Sequence, residues 1–268
     1  MNLWESIVFG VIQGLTEFLP VSSSGHIELA KAFFDIRNTE AGLLYTVVLH
    51  FATALSTLLI FRKDIKKIML GLIQLRWNSE TKYSFLILLS MVPAGFIGFF
   101  FKAYIDQLYS GNVALVCILL MVTGVVLYVS DRLPTSNGQV KVSSAFILGV
   151  VQAFAILPGI SRSGSTIATA VILGIEREQA ARFSFLMVLP LIFGAMVKEF
   201  MDYQEHYSLS ETSFVLDLPL VAGFIAALLT GMVACKWMIS MVKNSRLAYF
   251  AYYCWAVGLI GILLNWLN

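Results

Sequence analysis

Charge is scarce in this chain. Lys and Arg together number 18 and Asp and Glu 16 among 268 residues, 13% of the total, against 59% hydrophobic residues. Soluble domains carry roughly a quarter charged residues, so this composition excludes a soluble globular fold, and the length suffices for several membrane spans. The formal charge of +2 is small too, and the basic residues fall in short loops, not on a continuous face, which argues against a nucleic-acid partner. Cysteine and histidine are equally sparse, at three each. Cys117, Cys235 and Cys254 are odd in number, lack C-x-x-C spacing and lie in or beside apolar runs, so they read as buried free thiols. No His/Cys cluster exists to hold a metal. The N-terminus has neither a basic n-region nor a small-residue cleavage site, so the first helix is expected to stay in the mature protein.

Long apolar runs are what the chain does have. They cover about 43 to 61, 84 to 101, 113 to 130, 183 to 200, 218 to 235 and 247 to 266, each near the length that crosses hydrocarbon. Two further segments, about 3 to 34 and 145 to 174, are broken by proline and a serine run, with each half short of a span. They read as re-entrant helix-turn-helix hairpins, tolerated at membrane depth where protein or a wet cavity covers the loose backbone. The expected fold is an all-α polytopic membrane protein of six transmembrane helices plus two re-entrant hairpins, forming a single membrane domain over 1–268.

The broken segments are copies of one another. Gly10-Val11-Ile12-Gln13 leading to Leu19-Pro20-Val21-Ser22-Ser23-Ser24-Gly25 returns as Gly149-Val150-Val151-Gln152 leading to Leu157-Pro158-Gly159-Ile160-Ser161-Arg162-Ser163-Gly164, at an offset of 139 apart from a one-residue shift at the proline. This divides the chain into a first repeat, 1–131, and a second, 142–268. Three spans in each repeat invert the second relative to the first, so the hairpins enter from opposite sides and their tips should meet near the midplane. The basic loop from Arg62 to Lys82 and the stretch Lys236, Lys243, Arg246 belong in the cytoplasm, with Arg132 and Lys141 on the same side. The acidic loop with Asp202, Glu205, His206, Glu211 and Asp217 falls outside.

In the first hairpin Gln13 and Glu17 stand four apart on one helical face. A carboxylate at mid-bilayer costs about 2.5–3.5 kcal/mol on insertion scales, and Glu17 lies beside Phe18-Leu19-Pro20, so it reads as a site residue and not as an acid reaching water. Pro20 should end the first half-helix, and the next should start in Ser22-Ser23-Ser24 with a serine as cap. His26 then falls in the first turn, where free amides and the positive dipole end favour the neutral imidazole, a form that can act as a base. An interhelical hydrogen bond is the other reading of that histidine.

The second hairpin carries Pro158-Gly159-Ile160-Ser161-Arg162-Ser163-Gly164-Ser165-Thr166. Hydroxyls, small residues and a guanidinium at a half-helix start are the parts of an oxyanion cradle, although the small residues also suit close helix packing. Two converging helix N-termini make a phosphate-bearing anion the natural ligand. Glu17 with Gln13 then makes sense as a place where a divalent cation, Mg²⁺ with Ca²⁺ as the alternative, bridges to phosphate oxygens.

These two motifs resemble the undecaprenyl-diphosphate phosphatases, or bacitracin-resistance proteins: Gln13 through His26 matches the family's (E/Q)xxxE-to-His region, and Pro158 through Thr166 its PGxSRSxxT motif. The resemblance implies a multi-pass enzyme of the bacterial cytoplasmic membrane that removes the terminal phosphate of a C55 polyprenyl diphosphate, with its site opening to the extracytoplasmic face. It implies that Glu17 is the acid needed for activity, His26 the acid/base, Ser23 a candidate nucleophile and Arg162 the diphosphate clamp. Ser161, Ser163 and Thr166 are then ligand contacts, and Ser22, Ser24, Gly159 and Gly164 complete the substrate-binding set. Gln13 takes the less acidic option at its position. A homodimer stays open, as does a rival reading, a transporter or flippase of a phosphorylated polyprenyl lipid, because broken helices in inverted repeats also mark transporters. Elsewhere, His50 reads as a buried hydrogen-bonding residue, Pro93 and Pro190 as helix kinks, and the Phe96–Phe101 stretch as lipid-facing or packing surface.

Overall fold

A computed structural model describes residues 2–33, 40–101, 104–105, 107, 112–207 and 217–267. Among these the chain forms eleven helices: α1 (Leu3–Phe18), α2 (Ser23–Phe33), α3 (Glu40–Ile60), α4 (Arg62–Ile73), α5 (Ser79–Phe100), α6 (Val113–Asp131), α7 (Val142–Phe154), α8 (Arg162–Ile172), α9 (Arg177–Tyr207), α10 (Leu218–Lys243) and α11 (Ala248–Leu267). One isolated parallel bridge, Gly138 to Ile175, is the only β pairing among the described residues. Five helices are long and apolar enough to cross a membrane, and six if Tyr45–Ile60 is taken with the bent helix that follows it. The protein is therefore an all-α polytopic membrane protein. Its outer surfaces are rich in exposed Leu, Val, Ile and Phe, as lipid contact requires.

Each broken segment folds as helix, tight turn, helix. α1 is capped by Asn2, whose side chain accepts from the Glu5 amide while Glu5 reaches back to Asn2. With 16 residues it is about 24 Å long, short of a full span. It stops before Pro20, and Ser22 takes φ 69° to turn the chain into α2. In the second segment Gly159 makes the corresponding turn at φ +89°. That segment demonstrably doubles back: the Gly138 amide donates to Gly174 and the Glu176 amide to Gly138, which ties the end of α8 to the connector before α7.

Residues 139 apart make matching contacts. Ser22 Oγ accepts from the Gly25 amide at 3.2 Å, and Ser161 Oγ from the Gly164 amide at 3.0 Å, so a serine caps both second half-helices. Gly10 of α1 lies so close to α10 that a Cβ would sit 2.3 Å from the Gly223 carbonyl; for Gly149 of α7 the value is 2.4 Å from the Ser90 carbonyl of α5. Each first half-helix thus packs through a glycine onto a long helix of the other half of the chain. The tips interlock: a Cβ on Gly25 would lie 3.4 Å from Gly159 Cα, and one on Gly164 3.0 Å from Pro20 Cβ.

The segment expected as a loop from Arg62 to Lys82 contains α4, bent 76° from the preceding helix. Ile65, Ile68, Met69 and Leu72 recur at helical spacing there, and the short basic run at its start hid that period. Asn78 closes the turn that follows, donating to the Gly71 carbonyl at 2.9 Å and accepting from Thr81 as the cap of α5.

The basic segments do gather at one end of the bundle. Arg182 pairs with Asp64 at 3.0 Å and Lys243 with Glu178 at 2.9 Å. Asp131 is a hub at that end: its carboxylate accepts from the Leu247 and Ala248 amides, capping α11, and lies 3.6 Å from buried Arg177. Arg177 also donates to the Ser130, Asp131 and Leu133 carbonyls that end α6. The start of α1 lies at the opposite end, where Tyr45 donates to the Ser6 carbonyl beside Gly223 near the start of α10. Asp217 caps α10 there, whereas the side chains of Asp202, Glu205, His206 and Glu211 lie outside the described residues. All three cysteines are free and buried, as expected.

Candidate active site

The interlocked tips set Glu17 at the centre of a polar cluster. Its side chain is 5% exposed, yet it is fully provided for. Oε1 accepts from Arg162 Nη2, and Oε2 accepts from Ser23 Oγ at 2.8 Å and Gln13 Nε2 at 3.0 Å. These partners come from three places: Gln13 one turn earlier on α1, Ser23 at the first residue of α2, and Arg162 at the first residue of α8. The pairing of Ser23 with Arg162 across the repeat puts a hydroxyl and a guanidinium on the two sides of one carboxylate.

The turn around Arg162 is held rigidly. Thr123 Oγ1 donates to the Gly159 carbonyl at 3.2 Å and accepts from the Ser161 amide at 3.0 Å. Ser163 Oγ reaches the Leu19 carbonyl of the other tip at 3.4 Å. Thr166 donates to the Arg162 carbonyl at 2.8 Å and shares a 2.5 Å hydrogen bond with Ser184.

Beside the cluster opens a cavity of about 580 Å³, in the range of small-molecule sites. Its polar wall includes Glu17, Ser23, His50, Ser161 and Arg162. Its apolar wall runs along α5 and α9 through Gly95, Phe99, Leu191 and Gly194 to Lys198. Added Cβ atoms at Gly95 and Gly194 would meet nothing within 4 Å, so this side is open. A polar end and a long apolar side suit an amphiphile.

The structure brings together Gln13, Glu17, Ser23 and Arg162, and it places Ser22, Ser24, Ser161 and Ser163 on the cavity wall. Gly159, Gly164 and Thr166 lie outside that wall. Gly159 is pressed against the Val116 carbonyl, Gly164 against Pro20, and Thr166 is turned to Ser184, so each shapes the tips and does not face the cavity. His26 also stands apart: Nδ1 lies 2.9 Å from the Ser22 carbonyl, Nε2 2.8 Å from Tyr253 Oη, and the ring stacks on Tyr253. It makes no hydrogen bond to Ser23 among the described residues. His50, expected as a buried hydrogen-bonding residue, does bond the Thr46 carbonyl through Nδ1 at 2.9 Å, but it faces the cavity with its side chain 36% exposed and Nε2 3.9 Å from Glu17 Oε2. One apolar run on α3 concealed it, because which face of a fully apolar helix meets a cavity depends on the neighbours. Lys198 was missed for a similar reason; it reaches back over the Phe99 ring at 5.6 Å.

Fold and site define the class: an all-α polytopic membrane protein with a carboxylate–arginine–serine cluster at the meeting of two interrupted helices. Residues 6–260 match the family described as Bacitracin resistance protein BacA. The chain belongs to that family. It is 52% identical over 264 residues to an undecaprenyl-diphosphatase of Christiangramia forsetii, covering 98% of both chains. It is 42% identical over 269 residues to one of Bacteroides fragilis, covering 100% of both, and 36% identical over 279 residues to one of Methanobrevibacter smithii, covering 97% of this chain and 96% of that one.

Proposed function

We propose that this chain is an undecaprenyl-diphosphatase, hydrolysing a C55 polyprenyl diphosphate to the monophosphate and inorganic phosphate in the bacterial cytoplasmic membrane. It would thereby recycle the lipid carrier of peptidoglycan synthesis and confer bacitracin resistance. The observation that carries this reading is the Arg162–Glu17–Ser23 cluster on the wall of an amphiphile-shaped cavity. Its family membership and the names of its relatives support the same activity. A binding protein needs an anion cradle; a hydroxyl held on a carboxylate is what hydrolysis adds.

In the proposed mechanism the diphosphate takes the Arg162 guanidinium and the free amides at the start of α8. Glu17 Oε2, which already holds the Ser23 hydroxyl, accepts the proton of Ser23 or of a water in the same place. The oxygen so activated attacks the terminal phosphorus in line, and the bridging oxygen leaves with the bond pair as the lipid monophosphate, its charge met by Arg162. If Ser23 attacks, water then releases the phosphate from it. His26, expected as the acid/base, has its ring nitrogens on the Ser22 carbonyl and Tyr253 Oη, so in this mechanism it positions the tip turn that carries Ser23 and leaves the base role to Glu17. Glu17 and Gln13 form a hard carboxylate–amide pair of the kind that suits Mg²⁺ (or Ca²⁺), and they would hold the ion together with phosphate oxygens. Such an ion would neutralise diphosphate charge.

The matching glycine and serine contacts support two inverted repeats, 1–131 and 142–268, whose tips re-enter the membrane from opposite sides. The cavity extends toward the ends of α5 and α9 that lie away from the basic segments, which supports an extracytoplasmic opening.

The test is phosphate release from polyprenyl diphosphate by the purified protein in detergent, with and without chelator, for wild type, Glu17→Ala, His26→Ala and Arg162→Ala. Loss of activity in the three variants is expected. Unchanged rates would sink the site, and lipid movement across vesicles without any phosphate release would replace the enzyme by a flippase.

A further inference from the structure

Gln152 is 3% exposed, and neither its Nε2 nor its Oε1 has a hydrogen-bond partner. It lies near the end of α7, ten residues before Arg162, and lines the same cavity as Ser161, Arg162 and Glu17. The other copy of the repeat explains why its amide is unpaired. Gln13, 139 residues earlier, occupies the equivalent place in α1 and donates to Glu17 four residues on. Four residues after Gln152 comes Ile156. The amide has been kept at this position, whereas the carboxylate that would satisfy it is replaced by hydrocarbon.

A buried amide without a partner destabilises the fold that holds it, and nearly all such groups in proteins are paired. Gln152 borders the cavity while both of its amide atoms are covered, so the amide meets an entering ligand by a turn of its side chain. The primary amide offers two N–H donors, which phosphate oxygens accept. Its position also distinguishes the two phosphates. Glu17, Ser23 and Arg162 form the polar corner, whereas Ala155 and Ile156, next along the chain from Gln152, are apolar wall. Hydrocarbon, and the phosphate attached to it, belong on that side.

We infer that Gln152 is a substrate-binding residue, donating from Nε2 to an oxygen of the lipid-linked phosphate while Glu17, Ser23 and Arg162 engage the terminal one. This rests on the phosphatase reading above. The lipid-linked phosphate remains in the product, so Gln152 contributes to binding substrate and product alike, and its loss acts on KM more than on kcat. The two glutamines of the repeat then divide the work. Gln13 orients the carboxylate, and Gln152 holds the region of the lipid that does not react.

The experiment uses the full-length protein in detergent, with Gln152→Met and Gln152→Glu compared with wild type. Four quantities are measured: melting temperature, KM and kcat for phosphate release, direct binding of polyprenyl monophosphate, and inhibition by inorganic phosphate. Gln152→Met removes an unpaired amide at nearly constant volume, so it should melt at or above the wild-type temperature. It should nonetheless raise KM and weaken monophosphate binding about tenfold, the effect of one hydrogen bond to a charged group. Gln152→Glu replaces the donor by a negative charge and should lose more. Inhibition by inorganic phosphate should be unchanged in both. A lower melting temperature in Gln152→Met with unaltered KM and lipid binding would make the residue a packing element and overturn the inference. So would wild-type affinity in Gln152→Glu, or weakened inhibition by inorganic phosphate in place of the monophosphate effect. Lipid binding is measured without turnover, so a wild-type protein that releases no phosphate would refute the enzymatic reading alone and leave the effect on binding to decide the role of Gln152.

Discussion

Removing Arg162 should destabilise the protein more than neutralising Glu17, although the two form one ion pair. The difference follows from exposure. The Arg162 side chain is 25% exposed at the cavity, whereas that of Glu17 is 5% exposed. In Arg162→Ala a buried carboxylate keeps two neutral donors, Ser23 and Gln13, with His50 3.9 Å away. Breaking a buried pair from one side costs about 3–5 kcal/mol, and the two remaining donors hold the expected loss near the lower limit, about 3 kcal/mol. In Glu17→Gln the orphaned guanidinium can turn to cavity water, and the new amide still bonds its neighbours, so the loss should be about 1 kcal/mol. With about 2–4 °C per kcal/mol for a chain of this size, Arg162→Ala should melt roughly 6–12 °C below wild type. Glu17→Gln should melt only about 2–4 °C below it. The double variant Arg162→Ala with Glu17→Gln leaves no unpaired charge and should be more stable than Arg162→Ala alone, a non-additive result. The assay is thermal unfolding in one detergent, followed by exposure of the buried thiols. Equal melting temperatures for the two single variants, or strict additivity in the double variant, would refute the asymmetry.

Three other expectations concern separate regions of the molecule. Ser23→Ala should abolish phosphate release if the hydroxyl is the nucleophile and lower it only mildly if water attacks; a trapped phosphoserine at Ser23 in wild type decides between them. Gly10→Leu and Gly149→Leu should each lower the melting temperature sharply, because any side chain meets backbone at 2.3 and 2.4 Å and must push the packed helices apart; wild-type stability in either would contradict the packing described. Arg177→Ala should cost about 3 kcal/mol, since it strips the end of α6 of its donor and leaves the Asp131 carboxylate with only the Leu247 and Ala248 amides, a loss measurable in the same unfolding assay.

Composition made the membrane class readable, because a chain this poor in charge has no soluble surface. The six long apolar runs appear as α3, α5, α6, α9, α10 and α11, with α9 and α10 longer than expected, and the first half-helices stop at Phe18 and Phe154, ahead of Pro20 and Pro158. Less readable was α4. Its apolar period is only three turns long and follows a basic run, and short amphipathic stretches look like loops until a surface covers one face. Among the site residues, Glu17 was legible because a carboxylate in an apolar helix is expensive. Arg162 was legible because a guanidinium after a turn and before a helix has few other uses. The facing of His50 and the distance of His26 from Ser23 were not legible, since both depend on which neighbour each ring meets.

The sequence alone determined that this is a membrane protein with two copies of one interrupted helix, and that its charged and hydroxyl residues gather at the interruptions. Those are properties of local order: hydropathy, proline, serine caps and a fixed offset. Only the tertiary structure decided that Ser23 and Arg162 meet on opposite oxygens of Glu17, that Tyr253 takes His26, and that Gln152 is left without a partner beside the cavity. These pairings join residues up to 227 positions apart, and chain order does not determine which distant helices come into contact.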